Sequence, residues 1–236
     1  MIGNRAVAAL CGLGQPLDAF YAHVSSHPVM GPLVAGLAGV RMPRVPSLWE
    51  ALCWAVIGQQ INLAFAYRLR NRLIALGNGL PAPSAPAAAG ATVAAAGPQP
   101  FPSPRDVLTI PEPAWREAQF SRQKTAYLQG IARAFADGTL DEAALDAAPT
   151  EVVAQTLRAV RGLGPWSVAY GLLRALGRVD ALPVGDAGLR TALRRHYGLA
   201  APPPPAEQER LMEPFRPYRG LATYYFWKSL DAYRQE

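Results

Sequence analysis

Cysteine is nearly absent. Cys11 and Cys53 are the only two in 236 residues, with neither metal-ligand spacing nor the regular arrangement of a disulfide framework. That excludes a four-cysteine iron–sulfur cluster and a four-cysteine zinc site. Both thiols are expected to be free and buried, in a reducing compartment. Three histidines, His23, His27 and His196, lie too far apart to suggest a metal centre, so no side-chain metal site and no cofactor are expected. No apolar run approaches the roughly 18 residues of a membrane span, and the N-terminus lacks a signal-peptide pattern. A soluble cytoplasmic protein with no membrane partner is the expectation. Lysine is as scarce as cysteine: Lys124 and Lys228 are the only two, so the net charge of +6 is carried almost wholly by arginine. Arginine suits bidentate phosphate contacts, and the basic excess fits a polyanionic partner without requiring one. Arginine together with abundant Ala, Gly and Pro equally reflects GC-rich coding.

Apolar residues make up 50% of the chain, enough for one substantial domain or two small lobes. "LDAFYAHV" (17–24) and "GPLVAGLA" (31–38) read as short helices, ending in the Pro-rich "RMPRVP". Ser47 and Glu50 stand in capping-box spacing, which predicts a helix from about Leu48. Asn62 is the expected cap of the next helix, ending at Gly77, with "GQQI" a tight junction between the two. Residues 78–104 are uncharged Ala/Pro/Gly-rich sequence apart from Asn78 and a few Ser, Thr and Gln, and read as a disordered insertion. Helical patterns resume through "RDVLTI", "PAWREAQF", "SRQKTAYLQGIARAFADG" and "DEAALDAA", and Thr150 is the expected cap of "TEVVAQTLRAV". No stretch alternates with period two, so the fold class is all-α. The segment 1–46 is read as completing one lobe and 47–230 as the main domain; "MIGNRAVAALCGLGQP" matches no recognised pattern.

The compact unit helix–"RGLG"–helix carries the first chemical signal. Gly162 and Gly164 allow a tight turn with exposed N–H groups, and Pro165 suits the first turn of the next helix. Such a turn can grip a nucleic-acid phosphate without reading sequence; a plain helix connection is the plainer alternative. The second helix, 165–176, is apolar almost all round, which predicts burial. Trp166 and Tyr170 are four residues apart and share a face. After "GRVDALPVG", Asp186 has the context of an N-cap, the commonest role of Asp in that setting.

"GLGPWSVAYGLLRALGRVDALPVGDAGLR" resembles the hairpin, Gly/Pro-rich loop and aspartate of the helix-hairpin-helix DNA glycosylases. Within them it is most similar to the DNA-3-methyladenine glycosylase II branch. "WEALCWAVIGQQINLAFAYRLRNRLI" and "FSRQKTAYLQGIARAFADGTLD" resemble further segments of that branch, so the likeness runs through about 17–77 and 105–230. The resemblance implies an all-α, two-lobed fold that binds double-stranded DNA and lesion in a cleft between lobes, as a monomer. It places Asp186 at the catalytic aspartate. Gly162, Leu163 and Gly164 fall on the phosphate-binding hairpin, where the backbone of Gly162 and Gly164 often has help from a monovalent cation. Trp166, Tyr170 and Trp227 fall on the flipped-base pocket. Gln60 falls on the side chain wedged into the gap left by the flipped nucleotide, with Ile61 the alternative because glutamine departs from the usual large apolar residue. Arg122, Lys124 and Arg190, with Arg194 and Arg195 behind them, are the candidate phosphate partners, against the plainer reading of a solvated basic face. Many members carry an additional N-terminal α/β domain, which is not expected in this sequence.

The chemistry can also be argued from the residues. A base must leave the duplex to be reached, at a cost of a few kcal/mol. Alkylated purines such as 3-methyladenine and 7-methylguanine are cationic, and aromatic faces attract them by ~0.5–2 kcal/mol per good contact. A cationic base is already a good leaving group, so one carboxylate suffices to stabilise an oxocarbenium-like sugar and orient the water. Bifunctional relatives carry a lysine two residues after the second hairpin glycine; here that position is Trp166, so hydrolysis without strand cleavage is expected. Two alternatives stay open: the same fold acting on deaminated or etheno bases, and a non-catalytic helix-hairpin-helix DNA-binding protein.

Overall fold

A computed structural model describes residues 4–82 and 99–231. Among them there are fourteen α-helices, one short 3₁₀ turn and no strand, the all-α architecture expected. No helix among the described residues is long and apolar enough to cross a membrane. The chain divides into two compact units, one of Met1–Pro46 with Pro165–Glu236 and the other of Ser47–Gly164.

The first unit opens with α1 (Asn4–Leu10), α2 (Leu17–Val24) and α3 (Met30–Gly36). The second contains α4 (Leu48–Gly58), α5 (Leu63–Gly77), α6 (Pro104–Thr109), α7 (Glu112–Glu117), α8 (Arg122–Ala136), α9 (Glu142–Ala147) and α10 (Thr150–Arg158). The chain then returns to the first unit with α11 (Pro165–Arg174), α12 (Ala187–His196), α13 (Pro205–Met212), the 3₁₀ turn Glu213–Phe215 and α14 (Arg219–Ser229).

In the second unit α8 packs on α4 and α6, and α5 on α4 and α6. Side-chain caps start several of these helices: Ser47 accepts from Glu50 N at 3.1 Å and Asn62 from Phe65 N at 2.9 Å. The capping box expected at Ser47 is only half formed. The Glu50 carboxylate turns to Arg70, at 2.6 Å, while Leu48 N donates to Glu142 Oε1 at 2.8 Å instead. An ion pair and a partner from α9 thus win over the reciprocal local bond. At α10 the cap falls one residue earlier than expected: Pro149 precedes the helix and Thr150 is its first residue. Of the segment read as a disordered insertion, residues 83–98 lie outside the described residues. Its flanks are packed, which corrects the wider boundary. Trp49 Nε1 donates to Pro102 O at 2.8 Å, Phe101 meets the Trp49 ring, and Asn78 Nδ2 donates to Ile74 O and Pro100 O.

The core of the first unit gathers Phe20, Val24, Met30 and Val34 from the N-terminal helices with Leu189, Leu193, Phe215, Leu221 and Phe226 from the C-terminal ones. Each such side chain stabilises by about 1.5–3 kcal/mol on full burial, which is why the two distant stretches of sequence form one body. A hydrogen-bonded relay crosses this core: Gly39 N donates to Tyr21 Oη, which meets Tyr225 Oη at 2.6 Å, which donates to Val40 O at 2.8 Å. Burial, with the Tyr21 bond, pushes the Tyr225 phenol well above its ordinary range. The strand-like connector before α4 is tied to the end of α11, since Val45 N donates to Arg174 O at 2.7 Å and Arg44 Nε to Ala175 O at 2.7 Å. Cys53 is fully buried, as expected, but Cys11 is exposed, because it lies in the turn after α1 rather than within a core helix.

His27 is a cap in its own right: its Nδ1 accepts from Val29 N at 3.2 Å and Met30 N at 3.1 Å at the start of α3. Burial lowers the pKa of His27, and burial followed by the nearby Arg195 lowers that of His196. The unfolded chain, whose histidines titrate near 6.5, therefore takes up protons first as pH falls. Stability is full above that value and falls between it and the lower folded-state values. Thermal melts from about pH 7.5 to about pH 5.5 should show Tm decreasing, with a smaller slope in His27→Asn, which keeps an acceptor but does not titrate.

Candidate active site around Asp186

The approach to α12 is fixed before Asp186 is reached. Gly185 takes a left-handed conformation (φ 87°) that reverses the chain, and its N–H donates to Gln208 Oε1 at 2.8 Å. Gln208 is itself fully buried and donates to Pro203 O at 2.9 Å. Asp186 then caps α12, as its context predicts, with Oδ1 accepting from Leu189 N at 2.7 Å.

The same carboxylate collects two indoles. Trp227 Nε1 on α14 donates to Oδ1 at 2.8 Å, and Trp166 Nε1 on α11 donates to Oδ2 at 3.1 Å. An ionised carboxylate offers roughly four lone-pair sites, so Oδ1 is filled and Oδ2 retains one. Trp166 and Tyr170 share a face, as spacing by one helical turn predicts, and stack with centroids 5.5 Å apart and planes at 28°. Arg174 sits over the Tyr170 ring at 5.8 Å, and Tyr224 meets Trp227 edge-on at 6.5 Å. Trp166 and Trp227 are half-buried and Tyr170 is buried. The result is a carboxylate oriented by two indole N–H edges and neighboured by the Trp166–Tyr170 stack, suited to stabilising a positive centre.

The position of α14, and so of Trp227, depends on Asp180. Its carboxylate receives Arg219 Nε at 2.9 Å and Nη2 at 2.7 Å in a two-pronged pair, and also Arg219 N at 3.2 Å. Val179 O accepts from Gly220 N and Leu221 N. The orphan amides of the α14 N-terminus are thereby satisfied.

In the other unit, the hairpin turn follows α10. Its two glycines are unlike each other. Gly162 has φ 98°, and a Cβ there would stand 2.6 Å from Tyr127 Cδ2, so the fold demands glycine. At Gly164 a Cβ would meet nothing within 4 Å, so nothing inside the protein does. Leu163 is 4% exposed: its side chain anchors the turn, and any phosphate contact there falls to the hairpin backbone. Gln60 is exposed and left-handed (φ 58°), unusual for a residue with a side chain. Its neighbour Gln59 donates from Nε2 to Gly162 O at 2.9 Å, tying the α4–α5 turn to the hairpin.

The assignment of Lys124 as a phosphate partner requires correction. Its ammonium donates to Val56 O, Ile57 O and Gln59 O at 2.8–2.9 Å. All three donors therefore close the C-terminus of α4, and none is left for a phosphate. Desolvation by burial lowers its pKa. Arg122 is exposed and Arg190 half-buried, with the Arg190 Nε buried and without a hydrogen-bond partner among the described residues. Arg194 and Arg195 are exposed on the last turn of α12. No group of three or more His, Cys, Asp or Glu among the described residues could hold a metal ion. A cation at the hairpin would thus rest on backbone carbonyls. That of Gly162 already accepts from Gln59 and keeps one lone pair.

Gln59, Tyr127, Gln208 and Asp180 were not singled out from sequence. Gln59 adjoins a recognised motif, and the Asp180 pair was accessible only as one more charge in a loop. Gln208 sits in the polar run "PAEQER" and gives no signal at all.

An all-α chain with a glycine hairpin feeding one helix, and an aspartate capping the next beside two indoles, defines a helix-hairpin-helix protein. The profile of the HhH-GPD superfamily base excision DNA repair proteins matches residues 53–217, and the chain belongs to that superfamily. It is 29% identical over 219 residues to the DNA-3-methyladenine glycosylase of Bacillus subtilis, an alignment spanning 92% of this chain and 69% of that one. A second Bacillus subtilis relative, the putative DNA-3-methyladenine glycosylase YfjP, is 30% identical over 186 residues, spanning 78% of this chain and 60% of that one. The fold is shared with Schizosaccharomyces pombe 3-methyladenine DNA glycosylase (Mag1) in complex with abasic DNA, with a TM-score of 0.76 at 24% identity over 90% of this chain and 97% of that one. It is also shared with 3-methyladenine DNA-glycosylase from Archaeoglobus fulgidus, with a TM-score of 0.77 at 21% identity over 98% and 74%.

Replacing Lys124 by Met should lower stability by about 1–3 kcal/mol, since it strips a charged donor from three carbonyls at once. Denaturant titration of the variant against wild type measures it.

Proposed function

We propose that the protein is a monofunctional DNA glycosylase that hydrolytically removes alkylated purines from double-stranded DNA, acting as a monomer and without a cofactor. The observation that carries this is the Asp186 carboxylate, oriented by Leu189 N, Trp227 and Trp166 and bordered by the Trp166–Tyr170 stack. The superfamily membership and the names of the relatives support the same reading.

In this mechanism a cationic purine such as 3-methyladenine or 7-methylguanine is flipped out of the duplex and held against the aromatic faces. The C1′–N bond breaks with its electron pair passing to the base, which leaves neutral and needs no proton. Oδ2 of Asp186, the oxygen with a lone pair to offer, stabilises the oxocarbenium-like sugar and takes a proton from the water that attacks C1′. A general base of this kind is worth about 10²–10⁴ in rate.

The environment of the amines supports the monofunctional reading. Trp166 stands at the position where bifunctional relatives carry lysine. The two lysines of the chain are occupied: Lys124 by three carbonyls and Lys228 by Asp231. Imine formation with the opened sugar needs a free amine.

DNA contacts are assigned to the hairpin amides, to Arg122 and Arg190, and to Gln60 as the wedge. Gly164 supports the first: glycine is retained where the protein itself leaves room for a side chain, which suits close approach of a phosphate to backbone N–H groups. A monovalent cation at the hairpin carbonyls would supply positive charge toward that phosphate.

Single-turnover base release from methylated duplex DNA tests the proposal, with Asp186→Asn as the variant. Asparagine still caps a helix, so the variant should fold, less stable by about 1–3 kcal/mol because its Nδ2 cannot accept from Trp166 Nε1, while release falls by about 10²–10⁴. Product strands should be alkali-labile, uncut without alkali, and should give no borohydride-trapped adduct. Release of hypoxanthine or ethenoadenine but no methylpurine would move the substrate class. DNA binding with no base release by wild type would leave a binding module.

A further inference from the structure

Gly188 is the second residue of α12, and its backbone is not left-handed. Nothing in the main chain calls for glycine there, and alanine would favour the helix. The demand comes from the side chains around it. A Cβ at position 188 would lie 3.0 Å from Trp227 Cδ1, 3.2 Å from Trp227 Nε1 and 3.1 Å from Asp186 Oδ1. Carbon contacts settle at about 3.5–4.0 Å, so something must yield.

Asp186 cannot yield easily. It is two residues away on the same turn, and Oδ1 is bonded to Leu189 N at 2.7 Å. The Trp227 indole is half-buried, lies at the edge of the site and is anchored there by its 2.8 Å bond to Oδ1. It is therefore the indole that would move, and that bond would lengthen.

We propose that Gly188 is a positioning residue for the Asp186 carboxylate: by lacking a side chain it seats the Trp227 indole on the first turn of α12, so that Nε1–H fills Oδ1 and leaves Oδ2 for the reaction. The seat is a geometric statement about three residues of one unit. Its catalytic consequence rests on the glycosylase reading above.

The test is Gly188→Ala, read in two ways. The ¹H–¹⁵N cross-peak of the Trp227 indole, identified by its loss in Trp227→Phe, should move upfield and exchange faster with solvent, while Tm is unchanged or raised. Single-turnover base release should fall about tenfold or more, the scale of one hydrogen bond to a charged group. In the Trp227→Phe background the same Gly188→Ala change should alter the rate by less than about twofold, because the N–H whose bond to Oδ1 it lengthens is gone. An unmoved indole resonance overturns the seat. A wild-type rate in Gly188→Ala, or equal slowing in both backgrounds, overturns the positioning role. If wild type releases no base, the glycosylase reading fails separately, and the indole resonance still decides the seat.

Discussion

Three helices of one unit meet at a single carboxylate. Asp186 begins α12 by accepting the Leu189 amide, and receives an indole N–H from α11 and another from α14. Each donor would be costly to leave unsatisfied in a half-buried setting, and so would the charge. The arrangement holds only while all three helices are in register, which explains how much of the unit serves to orient them. Gln208 holds the turn before Asp186, Asp180 with Arg219 holds the start of α14, and Arg44 and Val45 hold the end of α11. Tryptophan suits the task because its body packs like a hydrocarbon while its one N–H reaches a partner.

The second unit is organised around a different charge. Lys124 on α8 closes the C-terminus of α4, Tyr127 on the same helix lies against Gly162, and Gln59 bonds the Gly162 carbonyl. One helix thus underlies both the left-handed Gln60 turn and the hairpin glycine. A cation at the negative end of a helix is favourable on its own account, and here it also sets the exit direction of the chain. With Lys228 paired to Asp231, the chain keeps its outward positive charge in arginine. That division fits the proposed hydrolytic chemistry, which uses guanidinium groups for phosphate and no amine at the sugar.

Glycine has three different meanings in this molecule. Gly162 answers to backbone conformation and a neighbouring ring, Gly164 to open space, and Gly188 to the closeness of two functional side chains. From sequence the first two were visible as a hairpin pair. Gly188 was not, although a glycine in the first turn of "DAGLRTALRR", where alanine serves a helix better, is the kind of local inconsistency that marks a close approach.

Patterns within one helix or one turn were readable from the amino acids alone. The absence of period-two alternation implies an all-α chain, Asn62 and Asp186 read as caps, and the four-residue step from Trp166 to Tyr170 puts the two on one face. Such features depend on neighbours along the chain, and neighbours are what a sequence shows. What depended on distant partners came only from the tertiary structure. Lys124 looked like a surface cation until three carbonyls more than sixty residues away were found around it. Glu50 reads as half of a capping box, yet Arg70 claims it, and Pro102 reads as part of a disordered insertion, yet Trp49 bonds its carbonyl. The physical reason is common to all three: a polar or apolar side chain adopts whichever partner best offsets its desolvation, and long-range packing decides which partners are within reach.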